Sequence, residues 1–503
     1  METSKQPHFV FSNDENEQKE QLKGNELMAQ YKKFRSDNKD DLFNPSYHFW
    51  SPDGRINDPN GLCFWNGKYH MFYQQYPPVF PRQHWGHAVS DDMVHWEDLP
   101  SAIYPDIENA CFSGNTLVEN DRVIAMYHGW GIGNMIATSN DPLLLNWEKN
   151  PNNPVIPHLP NLPESGLPYR VFDPFIWKEE DGYYSLSGTH SNGIMKEHLF
   201  FSQNLDKWTY LGQLMDNNPH VECSNDGACP YFLPFGQDEN QRILFFFSHS
   251  SGSRALIGKY DKITHKFVPK KNIKFSFDSV CVSSLVAPCA ISDGKGGVYV
   301  IYNMGDSVVG RARRGVFSLM RHITTDAEDN IWIKPAEQNE SLRANKILDE
   351  GFELAAFEKK ELTARGKCIE INAEISMNEA RSVEFRVLCD KEGKEYTTIS
   401  IISGMNRVTP CGYITVDTSH ASLYNDVIGR IPDSTRFLWD GKEKVNVRIF
   451  VDKCMVEVFV NDRAALCQMA YASLPESDGI TVEALGGNAT VENIKIFEMD
   501  SIY

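Results

Sequence analysis

Four acidic side chains stand in settings that could support bond cleavage. Asp58 lies in Arg55-Ile-Asn-Asp-Pro-Asn-Gly61, Asp173 heads the apolar run Pro174-Phe-Ile-Trp177, and Glu222 and Asp226 lie close together before a further apolar stretch. Asp58 and Asp173 share an Asp-Pro step, in which proline fixes its own φ and biases the preceding residue towards an extended backbone. Asn60-Gly61 tolerates positive φ, so Pro59-Asn60-Gly61 predicts a turn that reverses the chain directly after Asp58. A lone Asp-Pro usually caps a loop; the argument for chemistry is that an acid recurs at the same place in successive structural units. Carboxylates gathered at one mouth repel and raise at least one pKa, so one can hold a proton while another stays ionised. That combination suits glycoside hydrolysis, which needs a nucleophile or base, a general acid, and stabilisation of an oxocarbenium-like transition state. Glu222 precedes the fourth repeat of the chain, with Asp226 four residues on in a glycine-containing turn. Asn57, Gln74, Trp85, Phe112 and Ser113 fall near predicted strand ends beside these acids, where amides and hydroxyls could hold sugar hydroxyls and flat rings could cover C–H faces. Trp65 and Trp85 also admit a packing role, and Trp96, Trp147 and Trp208 are assigned to packing because they recur at one fixed place.

The elements that must position these residues form an internal repeat. A turn followed by an alternating aromatic strand occurs at 67–73, 121–127, 181–187, 241–247 and 297–302. A serine followed by polar residues and a tryptophan closes a unit at 90–96, 139–147 and 202–208, with a degenerate copy at 258–267. A repeat of roughly 50–60 residues made only of strands and turns is a propeller signature. Five copies imply a five-bladed β-propeller over 45–340, with blade starts converging on a central mouth. From residue 345 to 503 long β-branched alternating runs, such as Cys368 to Ile375 and Val445 to Val451, predict a β-sandwich. Residues 1–44 form an extension in which Glu17 to Arg35 predicts one short amphipathic helix, packed on the body or on a partner chain. The fold class is therefore all-β.

Bulk properties narrow the field. A chain of 503 residues is too long for one ordinary core. A net charge of −19 argues against nucleic-acid and anionic-membrane partners. No apolar stretch approaches the twenty residues of a membrane-spanning helix. The polar, acidic first residues hold no secretory signal, so a cytoplasmic location is expected, or a secreted or periplasmic one had a leader been removed. Eleven cysteines without a dense framework suit free thiols. Cys223 and Cys229 form a near pair, but no second pair or histidines stand at ligand spacing, so no metal and no cofactor are expected. The expected partner is a carbohydrate, and a homo-oligomer is compatible with the chain.

Together these blocks resemble glycoside hydrolase family 32, the invertase, inulinase and levanase family. Asn57-Asp58-Pro59-Asn60-Gly61 is similar to its Asn-Asp-Pro-Asn-Gly block, Phe72-Tyr73-Gln74 to Phe-Tyr-Gln, Trp85-Gly86-His87-Ala88 to Trp-Gly-His-Ala, and Phe112-Ser113-Gly114 to Phe-Ser-Gly. The resemblance implies a propeller followed by a sandwich, and a retaining β-fructofuranosidase with Asp58 as nucleophile and Asp173 binding sugar hydroxyls. Two departures stand out. Phe172 occupies the place of the arginine in the family's Arg-Asp-Pro, which removes a bidentate donor and puts Phe172 among the substrate-binding candidates. The family's Glu-Cys-Pro is split, since Cys229-Pro230 is preceded by Ala228, and an insertion is needed to bring Glu222 into register; the resemblance then implies Glu222 as acid/base, with Asp226 its rival. The competing readings are an arabinofuranosidase, a fructosyltransferase, or a carbohydrate-binding propeller without catalysis.

Overall fold

The computed structural model describes residues 7–78, 82–158, 169–188, 195–216, 227–249, 252–276, 284–305, 315–404 and 410–503. Among them, five consecutive antiparallel sheets precede two six-stranded ones. The first sheet runs Arg55–Trp65, Lys68–Tyr76, His84–Ser90 and Trp96–Ile103, each strand paired with the next. The other four sheets begin with Cys111–Val118, Pro174–Glu179, Ala228–Pro234 and Leu285–Ser292. These leading strands pack side by side in chain order, and the fifth packs back on the first, so the sheets close a ring. This is a β-propeller. Each predicted aromatic strand is the second strand of its sheet, where both faces are covered by neighbouring sheets and nearly every side chain is buried.

The serine-to-tryptophan repeat is the turn between third and fourth strands. Ser90 Oγ accepts the Met93 N–H at 2.9 Å and Ser202 Oγ accepts the Leu205 N–H at 3.0 Å. Met93, Leu144 and Leu205 each take a left-handed backbone, with φ of 67°, 52° and 69°. Their carbonyls accept the indole N–H of Trp96, Trp147 and Trp208 at 3.1, 2.8 and 2.9 Å. The tryptophans therefore offset a strained turn with a hydrogen bond, which explains why they recur.

The chain ahead of the first sheet latches the ring. Trp50 bridges to Val316 of the fifth sheet, and the Phe317 N–H donates to Phe49 O at 2.8 Å. The predicted single helix is two helices, Glu15–Lys23 and Glu26–Asn38. Gly24 ends the first, and the Asn25 side chain caps the second by accepting from Leu27 N and Met28 N. The apolar spacing runs through this break, which hides it in the sequence. Both helices pack on the ring: Gln18 donates to Asp141 Oδ1 at 2.7 Å, Gln75 donates to Tyr31 Oη at 2.9 Å, and Arg35 pairs with Asp98.

The two six-stranded sheets, spanning Arg343–Met499, face each other across a core of Ile, Val, Leu and Ala side chains and form a β-sandwich. A buried charge cluster joins sandwich to ring. Asp452 accepts the backbone N–H groups of Ser46, Tyr47 and His48 at 2.6, 2.7 and 2.9 Å, and His48 Nδ1 lies 2.8 Å from it. Glu457 receives Arg321 at 2.7 Å and the Leu319 N–H at 2.6 Å, and lies 3.2 Å from His48 Nε2. Burial works against a charge on His48, but the two carboxylates outweigh it and push its pKa up to about 9. Removing one partner strands an opposite charge in the interior. Arg321→Met is therefore expected to destabilise the protein by about 3–5 kcal/mol, read as a lower urea midpoint; an unchanged midpoint would show that the cluster contributes no net stability.

Candidate active site

Asp58 sits on the leading strand of the first sheet, where pairing with Lys68–Tyr76 shifts register twice, between Ile56 and Pro59 and between Asn60 and Cys63. The predicted chain reversal at Pro59-Asn60-Gly61 is instead a bulge inside one long strand. The hairpin turn follows at Asn66-Gly67, with φ of 49° and 80°. Gly61 takes φ +55°, and the Asn60 amide donates back to Asp58 O at 3.2 Å. A bulge of this kind re-aims a side chain without ending the strand.

A directed chain of hydrogen bonds ends on Asp58. Asn303 Nδ2 donates to Asn57 Oδ1 at 3.1 Å, and Asn57 Nδ2 donates to Gln74 Oε1 at 2.9 Å. Gln74 Nε2 donates to Ser113 Oγ at 2.8 Å, and the Ser113 hydroxyl donates to Asp58 Oδ2 at 2.7 Å. Gln83 also donates to Gln74 Oε1, at 2.7 Å. Each donor polarises the next, so the chain favours a negative charge on Asp58. It joins the fifth, first and second sheets.

Asp173 precedes the leading strand of the third sheet and is buried. Its Oδ2 accepts the Cys229 N–H at 2.9 Å. The Cys229 sulfur lies 3.4 Å from Asp173 Oδ2 and 3.6 Å from Asp58 Oδ2, so one thiol touches both carboxylates. Cys229 reaches this position in a left-handed backbone, φ 50°, two residues after Gly227 at φ 63°. A left-handed non-glycine residue costs free energy and persists only where its surroundings hold it. Burial raises the pKa of Asp58, and burial together with the nearby Asp58 charge pushes Asp173 up to about 7. Burial and the two carboxylates also hold the Cys229 thiol protonated. The arrangement can therefore keep one carboxylate ionised and the other protonated near neutral pH.

The other candidates divide by burial. Trp85 is fully buried, with its indole donating to Phe112 O at 2.9 Å, so it supports the wall from behind instead of presenting a ring to solvent. Phe172 and Phe112 are partly exposed, 6.1 Å apart in an edge-to-face arrangement. The Ser187 hydroxyl holds Phe172 by donating to its carbonyl at 2.9 Å and accepting its N–H at 3.0 Å. Glu222 and Asp226 lie outside the described residues. Ala228, which opens the leading strand of the fourth sheet, offers no acid. Cys229, Asn303, Gln83 and the buried Glu197, whose carboxylate fills the space that a side chain on Gly227 would take, are additions from the structure. Among the described residues, no group of three His, Cys, Asp or Glu side chains is arranged to hold a metal.

Comparison with known proteins finds matches over most of the chain. The model of the glycosyl hydrolases family 32 N-terminal domain matches residues 48–333, and that of the family 32 C terminal matches residues 337–498. The chain is 26% identical to a levanase of Bacillus subtilis over 92% of its own length and 71% of that protein. It is 25% identical to a sucrose-6-phosphate hydrolase of Zymomonas mobilis, covering 90% and 91%. Fructan 1-exohydrolase IIa of Cichorium intybus superimposes with a TM-score of 0.80 at 19% identity, covering 92% of this chain and 98% of that one. A variant of that enzyme in complex with 1-kestose gives 0.79.

The raised pKa of Asp173 has a consequence for stability. The unfolded carboxyl loses its proton near 3.9, whereas the folded one holds it to about 7. Stability is therefore lost as pH rises across that window, because ionisation is disfavoured in the fold. Asp173→Asn removes this dependence. Its melting temperature is expected to exceed wild type by a few degrees at pH 8 and by less at pH 5; an equal gain at both, or a loss at pH 8, contradicts the raised pKa.

Proposed function

This chain belongs to glycosyl hydrolase family 32, and from that membership we propose that it releases terminal β-fructofuranosyl units from sucrose, fructo-oligosaccharides or fructan by double displacement. The observation that carries this reading is the pair of carboxylates, Asp58 and Asp173, meeting at the Cys229 sulfur with the hydrogen-bond chain running into Asp58. Asp58 attacks the anomeric carbon and forms a covalent fructosyl-enzyme, while a general acid protonates the departing glycosidic oxygen. The same group then takes a proton from water, which attacks the anomeric carbon, frees Asp58 and releases fructose with retained configuration. Glu222 is assigned the acid/base role, and Asp226 is the alternative. Asp173, holding its proton near neutrality, donates a hydrogen bond to a sugar hydroxyl and leaves Asp58 as the ionised member of the pair. Asn57, Gln74 and Ser113 orient Asp58 and bind hydroxyls of the same ring.

The levanase and sucrose-6-phosphate hydrolase relatives support fructoside chemistry. Phe172, in the place of an arginine, favours a neutral oligosaccharide or polymer over a substrate gripped by a guanidinium fork.

Asp58→Asn is expected to lower fructose release from 1-kestose or levan by about a thousandfold or more without lowering the melting temperature. Activity within tenfold of wild type would exclude Asp58 as nucleophile. Glu222→Gln and Asp226→Asn separate the two acid/base candidates. With an activated aryl β-fructofuranoside, azide restores turnover and yields a fructosyl azide only for the variant that has lost the acid/base. Rescue of Asp226→Asn alone would transfer the role to Asp226.

A further inference from the structure

Trp130 stands at the first position of the tight turn joining Val123–Gly129 to Gly133–Ser139, at the same end of the second sheet as Ser113. Trp130 is 46% exposed, whereas Tyr127 on the preceding strand is fully buried. The exposure is not slack. Trp130 N donates to Ala110 O at 3.0 Å and Asn109 N donates to Trp130 O at 3.1 Å, so both backbone groups are fixed against the segment leading to Phe112. The indole lies flat on Phe112, centroids 4.8 Å apart and planes 19° from parallel, and stands edge-on to Phe172 at 6.5 Å.

Phe112 and Phe172 are the residues immediately before Ser113 and Asp173. The three rings therefore form one wall across the second and third sheets. His128 backs the wall, 4.9 Å from Phe172. Burial lowers its pKa to about 4, and its Nδ1 lies 2.9 Å from Asn134 Oδ1. The wall is uncharged at neutral pH. A fixed, solvent-facing aromatic surface continuous with a polar site is suited to the apolar C–H face of a neutral sugar ring.

We propose that Trp130, with Phe112 and Phe172, forms a binding platform for the sugar unit next to the fructosyl residue, on the leaving-group side of the scissile bond. The proposal rests on the fructosidase reading for the identity of that sugar. A fructosyl ring engaged by Asp58 and Asp173 lies near the segments that carry Phe112 and Phe172, so Trp130, stacked on Phe112, is placed to meet the next sugar unit. Trp130 is then a specificity-determining residue that favours oligosaccharides over free fructose and has no charge with which to hold a phosphate ester.

Calorimetric titration with 1-kestose and with fructose, using Asp58→Asn protein so that nothing is hydrolysed, tests the platform. Adding Trp130→Ala is expected to weaken 1-kestose about tenfold, or about 1.4 kcal/mol, and fructose far less. Trp130→Phe, which keeps a ring, is expected to recover part of the loss. Unchanged 1-kestose affinity, or equal weakening of both sugars, overturns the platform. The catalytic reading is judged separately, from fructose release by the wild-type enzyme. An inactive wild type whose 1-kestose affinity still depends on Trp130 would sink that reading and leave the platform standing.

Discussion

Asp58 and Asp173 each touch the Cys229 sulfur, and two carboxylates brought that close in a largely buried place repel each other. Burial disfavours both charges and proximity disfavours the second, so the arrangement opposes folding unless one acid keeps its proton. The site answers in two ways. Asp173 retains its proton up to about pH 7, and the chain from Asn303 through Asn57, Gln74 and Ser113 delivers a hydrogen-bond donor to Asp58. The asymmetry between the two acids is thus built from hydrogen-bond direction, not from a difference in residue type. Asp58 and Asp173 are chemically identical; one faces a serine hydroxyl at the end of the chain, and the other a backbone N–H and a thiol.

Such a site needs a frame that cannot relax. The ring supplies it because each leading strand is wedged between two others, and a shift in one sheet must displace its neighbours. Closure is secured at two points. Trp50 and Phe49 attach the lead-in chain to the fifth sheet, and three residues earlier Asp452 gathers the backbone of Ser46, Tyr47 and His48. The same chain segment is therefore held by the last sheet of the ring and by the sandwich. Asp58 follows only ten residues after His48, so the sandwich restrains the approach to the site.

Much of this could be read in the sequence, for identifiable reasons. The second strands of the sheets are covered on both faces, which forces them to be aromatic and apolar, and five such runs at similar spacing disclosed the architecture. Asp58 and Asp173 were visible because Asp-Pro marks a constrained backbone at a strand head. What remained hidden depends on contacts between distant parts of the chain. Pro59-Asn60-Gly61 has the composition of a turn, yet pairing with Lys68–Tyr76 turns it into a bulge, since tertiary register overrides local preference. Cys229 shows in the sequence as one of a near pair with Cys223 and as part of a split Glu-Cys-Pro; its position against two carboxylates depends on a left-handed backbone that composition does not announce. Asn303 reaches Asn57 across the ring closure, 246 residues along the chain. Trp130 lies in a turn, outside both repeats, and only its stacking on Phe112 gives it meaning.

Phe172 connects these observations. Arginine beside Asp173 would place a cation against the carboxyl and lower its pKa, making it an ionised acceptor. Phenylalanine removes that cation, and Asp173 instead keeps its proton as far as about pH 7. The same ring completes the wall with Phe112 and Trp130. Phe172 therefore leaves the rise caused by burial and the Asp58 charge unopposed, and adds an uncharged ring beside Phe112 and Trp130. Restoring arginine at position 172 would change both together, because a guanidinium that lowers the Asp173 pKa must also displace an aromatic ring from the wall.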